Sequence, residues 1–423
     1  MSTIQGTFNT GVQAMLSQSH DLSNISTNIA NVNTTSYKEQ GTHFETILNE
    51  VSPRNQNFFA VKTVDYRNVD KMGTIATTNR TYDVAINGRG FIVTNTSQDG
   101  SGIWQYTRDG SFFGKAVTLP TSTNGVPDQG TLLTTADGSY VMGWAADANG
   151  NISESNDLTK LKPLLFSNNS VFSAKATTAI KVQANVAAGV TGRQHVGLPF
   201  VDAGGNTRTL DLGFNSDPAN ASNWTLDMSS VGTDNKDVSV TFNPPNVSFD
   251  TQGKLVSPTN GVITAQIQDA SGPQTVTLDL SKITQFGGDT TISVQNIGGD
   301  GYIEGRLKAT YFDKFGTLIG SYTNGQVKNL ARLPVANFQA NDNLNALPGN
   351  VFTQSYDAGA LKLASVGDPQ GSTEFVTGAL ETSNVDLADQ FSKMIVTQRA
   401  YSSAAKIVQT ADEMVQACRD LKR

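Results

Sequence analysis

Residues 384–423 read NVDLADQFSKMIVTQRAYSSAAKIVQTADEMVQACRDLKR. Leu387, Met394, Tyr401, Val408 and Val415 recur every seven residues, with Ile407, Met414 and Leu421 beside them and Ala404, Ala411 and Cys418 completing the stripe. A seven-residue apolar repeat sustained without Gly or Pro is the pattern of a coiled-coil seam, so this stretch is a long helix that needs a partner helix. Ser383 or Asn384 is placed to cap its start. Asp386 and Asp389 near that start, and Arg419, Lys422 and Arg423 near the end, suit the helix dipole. At about 1.5 Å per residue the rod would run roughly 55 Å, longer than a compact domain requires.

The opposite end of the chain carries a matching pattern. Phe8, Met15, Leu22 and Ile29 also step by seven, with Val12, Ile25 and Val32 alongside and Gln, Ser, Thr and Asn elsewhere. Ser and Asn are mediocre helix formers, so this helix should be weak alone and should form only against neighbours. The two terminal helices are therefore expected to pack on each other or on copies of themselves. In an isolated monomer both ends are expected to be largely disordered.

With 423 residues the chain can form two or more domains with ample core. It carries 30 basic and 37 acidic residues, a formal charge of −7, without a run of Lys or Arg, which argues against nucleic acid and anionic membrane as partners. Only 16% of residues are charged, against about 25% in ordinary globular domains, and Thr, Ser, Asn and Gly are plentiful, a composition that fits a β-rich extracellular or assembly protein better than a cytosolic enzyme. Cys418, the single cysteine, sits on the apolar stripe and reads as a small packing residue. The first residues lack a basic n-region, an apolar h-region and a cleavage site, and nowhere does an apolar window approach the ~18 residues of a membrane span. Neither a cleaved leader nor membrane insertion is expected.

Taken in order, residues 31–74 lose their periodicity and read as an extended linker with short local elements. Strand signals begin near Tyr82. Val84 and Ile86 alternate, Asn87-Gly88 offers a turn, and Phe91 and Val93 resume, which predicts a hairpin. Trp104 with Tyr106, and Tyr140, Met142 and Trp144, continue the pattern. A second set includes Leu210-Leu212-Phe214, Trp224-Leu226-Met228 and Val276-Leu278-Leu280, separated by Gly, Pro and Asp turns, and suggests a separate sandwich or barrel. The chain is thus mainly β with α-helical termini. A terminal helical coiled-coil domain comprises 1–30 and 384–423, and the linker 31–74. An inner antiparallel β domain is assembled from 75–185 and 298–383, and an outer β domain, 186–297, is inserted into it.

Motifs for chemistry are absent. His20, His43 and His195 are dispersed, and neither an H-E-x-x-H nor a Cys-x-x-Cys spacing occurs. Gly88-Arg89-Gly90 lacks the third glycine of a phosphate loop and reads as a turn. Asp147-Ala148-Asn149-Gly150-Asn151 has its glycine too early for a calcium loop, with no Glu at the twelfth position. Without a nucleophile elbow or a distinctive carboxylate pair, the residues point away from an enzyme and call for no metal or other cofactor.

Two stretches carry a resemblance. Ala30-Asn31-Val32-Asn33-Thr34-Thr35-Ser36-Tyr37-Lys38 resembles the N-terminal signature ANxxTxGFK of the bacterial flagellar rod and hook axial proteins, matching at Ala30, Asn31, Thr34 and Lys38, with Ser36-Tyr37 where that family has Gly-Phe. GALETSNVDL from Gly378 to Leu387 and MIVTQRAY from Met394 to Tyr401 resemble its C-terminal signature, through Ser383, Asn384, Val385, Asp386, Gln398 and Arg399. The wording and the chain length are most similar to the hook members; between 186 and 297 the resemblance is loose. It implies a subunit that the flagellar type III apparatus exports unfolded and that polymerises with itself under a cap. The product is a curved, bendable tube outside the cell that joins the rod to the hook–filament junction and transmits torque. The terminal helices would form the inner tube. Phe44 to Leu48 is similar to the Phe-x-x-x-hydrophobic export-gate motif of such subunits. A distal rod or hook-associated protein is the alternative within the family, and a secreted β-rich adhesin or glycan-acting enzyme the alternative outside it.

Overall fold

The computed structural model describes residues 2–52, 55–123, 126–231, 239–269, 272–288, 292–366 and 373–420. They form two compact units. One comprises Met1–Asn168, Thr310–Gly320 and Lys328–Arg423, the other Asn169–Ala309 with Ser321–Val327.

In the first unit the chain starts with α1 (Ser2–Ala30) and ends with α2 (Leu387–Asp420). The helices run antiparallel: Asn28 bonds Gln390, Asp21 bonds Thr397, and a Cβ on Gly11 would stand 2.8 Å from Val408 Cγ2. The seven-residue period survives, centred on different residues. Gln390, Thr397, Ala404 and Ala411 are the buried residues of α2. Met394 and Val408 are half-buried beside them, as are Met15, Leu22 and Ile29 on α1, while Phe8, Leu387, Tyr401 and Val415 are exposed. Gly11, without a side chain, lets Val408 and Ile407 approach α1, while Gln390, Thr397, Ala404 and Ala411 fill the seam between the helices. Leu421, Lys422 and Arg423 lie outside the described residues. Each terminal helix thus covers one side of the other.

The cap also differs from the sequence reading. Asp386 Oδ1 accepts from the amides of Ala388 (2.8 Å) and Asp389 (3.3 Å), because the side chain of Asn384 is already committed to other backbone groups.

The stretch 31–74, read as a linker, contains a long hairpin instead. β1 (Gln40–Ser52) pairs antiparallel with β2 (Asn55–Arg67) from Gln40 opposite Arg67 onward. Val, Thr and Phe in both strands, with Ile47 in β1 and Tyr66 in β2, give them β propensity. Gly41 leaves space for the Tyr66 ring, which would lie 2.5 Å from a Cβ there, and Tyr66 stacks on His43 at 4.0 Å. Polar residues occupy both faces of β1, which removes the alternation that reveals a half-buried strand.

The β domain of this unit interleaves the two halves of the chain. β3 (Ile75–Thr77) pairs with Ala379–Glu381 and β4 (Val84–Asn87) with Glu374–Thr377. β5 (Phe91–Asn95) pairs with β6 (Trp104–Thr107) and also with Tyr140–Ala145 and Val335–Asn337. The expected β4–β5 hairpin does not form. Gly88 and Gly90 take φ of 126° and 113°, a backbone open to glycine, and turn the chain so that the two strands join different sheets. Phe91, Tyr106, Trp144, Phe338 and Phe352 form the core, with Tyr106 edge-on to Phe338 at 4.8 Å.

In the second unit two sheets share one core. The strand Ala179–Ala187 contributes Ile180, Val182, Ala184 and Val186, and the facing sheet contributes Leu198, Leu210, Leu212 and Trp224. A domain starting at 186 would lose that strand, so the inserted unit begins earlier than the sequence pattern indicated. Its ends are fastened together. Lys175 bridges to Tyr302, and Asp300 accepts from the amides of Thr178 (2.7 Å) and Ala179 (2.9 Å), from Thr178 Oγ1 (2.7 Å) and from Lys175 Nζ (2.9 Å). Burial alone would raise the Asp300 pKa, but these donors outweigh it and hold the carboxyl well below the usual range.

A fragment spanning 175–302 should therefore fold alone. It retains Trp224 as its one tryptophan, and that ring is 1% exposed, so a blue-shifted emission that moves red in one cooperative urea transition is expected; an emission already red in buffer would refute autonomy. Because the folded pKa of Asp300 is depressed, its stabilisation is complete above the ordinary Asp range near 4 and fades as pH falls below it. Asp300→Asn should remove that part of the acid sensitivity.

Candidate assembly junction

Where the two chain ends enter the β domain, a buried charge cluster joins them. Glu381 is fully buried at the end of the strand that pairs with β3. Its Oε1 accepts from Lys38 Nζ at 2.7 Å and from the Gly73 amide at 2.8 Å, and its Oε2 lies 3.4 Å from Arg108 Nη1. Lys38 Nζ also donates to the Lys71 carbonyl (2.8 Å), and Arg108 Nη2 to that of Gly88 (2.8 Å). Burial pulls the Lys38 ammonium below its ordinary pKa; the Glu381 carboxylate opposes that pull and the Arg108 cation adds to it. Burial likewise lowers Arg108. Gly73 admits no side chain, because a Cβ there would stand 2.0 Å from the Thr382 carbonyl oxygen.

The signature residues next to this cluster tie helices, hairpin and strands together. Ser36 sits at φ 56°, in the left-handed region where the resemblance places glycine, and its amide donates to the Glu381 carbonyl at 2.8 Å. Tyr37 Oη donates to Asn28 Oδ1 at 3.1 Å, a bond that a phenylalanine would lack; burial raises the Tyr37 pKa. Asn384 Oδ1 accepts from the Glu39 amide (2.7 Å), and its Nδ2 donates to the carbonyls of Asn68 (3.0 Å) and Lys71 (2.9 Å). Glu39 Oε1 accepts from Gln390 Nε2 (2.8 Å) and Lys393 Nζ (3.0 Å). Burial would raise the Glu39 carboxyl, but Lys393 and Lys71 outweigh it and leave it below the usual range.

The structure gathers some predicted residues here and leaves others apart. Tyr37, Lys38 and Asn384 lie in the junction. Asn31 and Thr34 build the turn that closes α1, Thr34 Oγ1 donating to Asn31 Oδ1 (3.0 Å), and Ala30 is exposed at the helix end. Ser383 Oγ accepts from the Val385 amide and Asp386 caps α2. Gln398 and Arg399 are exposed on α2, away from the junction. Phe44 is exposed on β1, whereas the Leu48 side chain lies outside the described residues. Sequence reasoning missed Glu381, Arg108, Asn28 and Gln390. Glu381 stands inside the quoted GALE motif, while Arg108 carries no local signal. The Asp147 carboxylate, weighed as part of a calcium loop, accepts from the amides of Asn149 and Asn151 at 2.8 Å each and closes a turn.

Residues 376–421 match the family model described as flagellar basal body rod FlgEFG protein C-terminal, and residues 173–302 that described as flagellar basal body protein FlaE D2 domain. The flagellar hook protein FlgE of Rhizobium meliloti is 30% identical over 433 residues that span 100% of both chains. The protein of the same name from Treponema pallidum is 26% identical over 98% of each. The crystal structure of Helicobacter pylori flagellar hook protein FlgE2 aligns with 73% of this chain and 100% of that one at 12% identity and a TM-score of 0.36.

The charge cluster makes a testable demand. Glu381→Ala would strand two buried cations, and breaking a buried pair in this way costs about 3–5 kcal/mol. Urea denaturation of the monomer should show that loss, while Lys38→Met combined with Glu381→Gln, which removes one cation and keeps an acceptor for Arg108, should cost clearly less. Equal losses in the two variants would show that charge closure is not what Glu381 supplies.

Proposed function

The chain belongs to the flagellar hook protein family, and we propose that it is the structural subunit of a bacterial flagellar hook that polymerises through its terminal helices. The observation that carries this reading is the apolar surface that α2 leaves uncovered. Phe391, Ile395, Val396 and Met414 are all exposed, Ile395 at 52% and Val396 at 67%. Large apolar side chains on one helix are costly to leave in water. Copies of the same helix, packed around it in a tube, would cover them and extend the seven-residue repeat between subunits.

A bendable tube needs a stiff lattice of axial helices together with outer contacts that can be remade at slightly different spacing. The Ser-, Thr- and Asn-rich surfaces suit the second requirement. On this reading the partners are further copies of the chain, the rod, the hook cap and the hook–filament junction proteins. The type III apparatus exports the chain, and exposed Phe44 is available as a contact during export. The similarity to hook proteins over the whole chain favours a hook subunit over a distal rod protein.

Val396→Asp tests the reading. The side chain already faces water in the single chain, so the monomer should keep its circular dichroism and its melting temperature. The carboxylate would be buried between subunits, at a cost of several kcal/mol repeated at every position of the lattice. Electron microscopy should find curved tubes from the parent and none from the variant. Tubes of normal abundance from Val396→Asp would remove α2 from the subunit interface, and straight rods from the parent would favour the distal rod assignment.

A further inference from the structure

Tyr356 is 99% exposed, more than any other large hydrophobic side chain among the described residues. The turn that carries it is nevertheless tightly tied. Ser355 Oγ donates to the Asn343 carbonyl (2.5 Å) and accepts from the Ala358 amide (3.1 Å). Gln354 Nε2 donates to the Gly359 carbonyl (2.8 Å), and Asn343 Nδ2 to that of Asp357 (3.3 Å). Ala358 is fully buried, and its carbonyl accepts from the Ala340 amide (3.1 Å). The backbone on both sides of Tyr356 is thus fixed while the ring stands in water, so docking the ring would cost little ordering entropy.

The same unit carries a cleft of about 250 Å³, and cavities of about 150 Å³ already admit a benzene ring. Thr35, Thr107, Asp109, Asp137, Asn350 and Val351 line it. Its walls are held as firmly as the turn. Asn350, at φ 57°, donates through Nδ2 to the Thr35 carbonyl (2.7 Å), and its own carbonyl accepts from Thr107 Oγ1 (3.1 Å). Asp137 accepts from Thr135 Oγ1 and from Ser139 Oγ (2.7 Å), and its two oxygens have lone pairs for a further donor. Polar groups around a space of ring size suit a phenol, whose body is apolar and whose hydroxyl seeks an acceptor.

The strand Val351–Thr353 starts at the cleft and its continuation carries Tyr356, at most about 20 Å further along an extended chain. Ring and cleft are separate places on one unit, and the exposed ring does not fill the cleft of its own chain. We propose that Tyr356 of one subunit enters this cleft on a second copy. Such a contact is head to tail: it leaves a free ring at one end of the pair and a free cleft at the other, so it propagates a filament rather than closing a dimer. It rests on the hook reading for its occupant, since further copies of the chain are the partners which that reading supplies.

Tube assembly of the full chain tests it. Tyr356→Ala removes a ring that meets only water in the single chain, so the monomer should keep its melting temperature while the critical concentration for tubes rises about ten-fold. Tyr356→Phe, which keeps the ring, should raise it less. A second variant places cysteines at Tyr356 and at Ala136, an exposed residue lining the cleft, in a Cys418→Ala background. Oxidised tubes of Tyr356→Cys with Ala136→Cys should give a ladder of covalent oligomers that neither single substitution gives. Parent tubes together with an unchanged critical concentration in Tyr356→Ala, or with no ladder from the cysteine pair, would overturn the contact and leave the hook reading intact. A parent that forms no tubes at any concentration would overturn both.

Discussion

Glu381 cannot be buried unless both ends of the chain arrive at it. Its carboxylate is satisfied by Lys38 and Gly73 from the N-terminal third and by Arg108 from the β domain, while the strand that carries it leads directly into α2. A buried carboxylate without those donors is far costlier than an exposed one. The folded state therefore requires the segment after α1, the strand before α2 and the interleaved sheet to be in place together. That coupling makes one compact unit of segments hundreds of residues apart. It also fixes where each terminal helix leaves the β domain.

From that junction outward, polar and apolar contacts divide their tasks. Inside the chain, α1 meets α2 across Gly11, Ala404 and Ala411 and through the Asn28–Gln390 and Asp21–Thr397 bonds, and it meets the hairpin through Ser17, His20 and Asn24. Such contacts define geometry well and contribute little net stability each, on the order of 1 kcal/mol. Val408 and Ile407 approach α1 at Gly11, while Phe391, Ile395, Val396 and Met414 of α2 stay exposed. A hook subunit benefits from that division. On the proposed reading, the single chain presents its helices in a set arrangement and leaves the exposed apolar area of α2 to be buried between subunits.

The family's signatures take on a physical meaning in this setting. Lys38 neutralises Glu381, Asn384 bridges the first residues after α1 to the segment after the hairpin, and Asp386 caps α2. Ser36 and Tyr37, the two departures from the signature, act in opposite directions. Serine in the left-handed region is strained by roughly 1 kcal/mol where glycine is not, and the Tyr37 hydroxyl adds a buried bond to Asn28.

The sequence by itself determined the helical ends, the β-rich middle and the family. A seven-residue repeat and a short signature are local patterns, written into neighbouring residues and readable without knowing what they touch. Leu387 to Val415 announced a helix with a packing stripe, and Ala404 and Ala411 were visible in it. Only the tertiary structure decided which residues of that stripe are buried within the chain, since this depends on how closely α1 approaches. The hairpin 40–67 escaped notice because a strand with polar residues at both odd and even positions carries no alternation, and the β4–β5 turn misled because strand partners are chosen by distant segments, here 374–377 and 335–337. Glu381 and Arg108 look like ordinary charged residues in the chain. Their weight comes from burial, and burial is a property of the assembled fold.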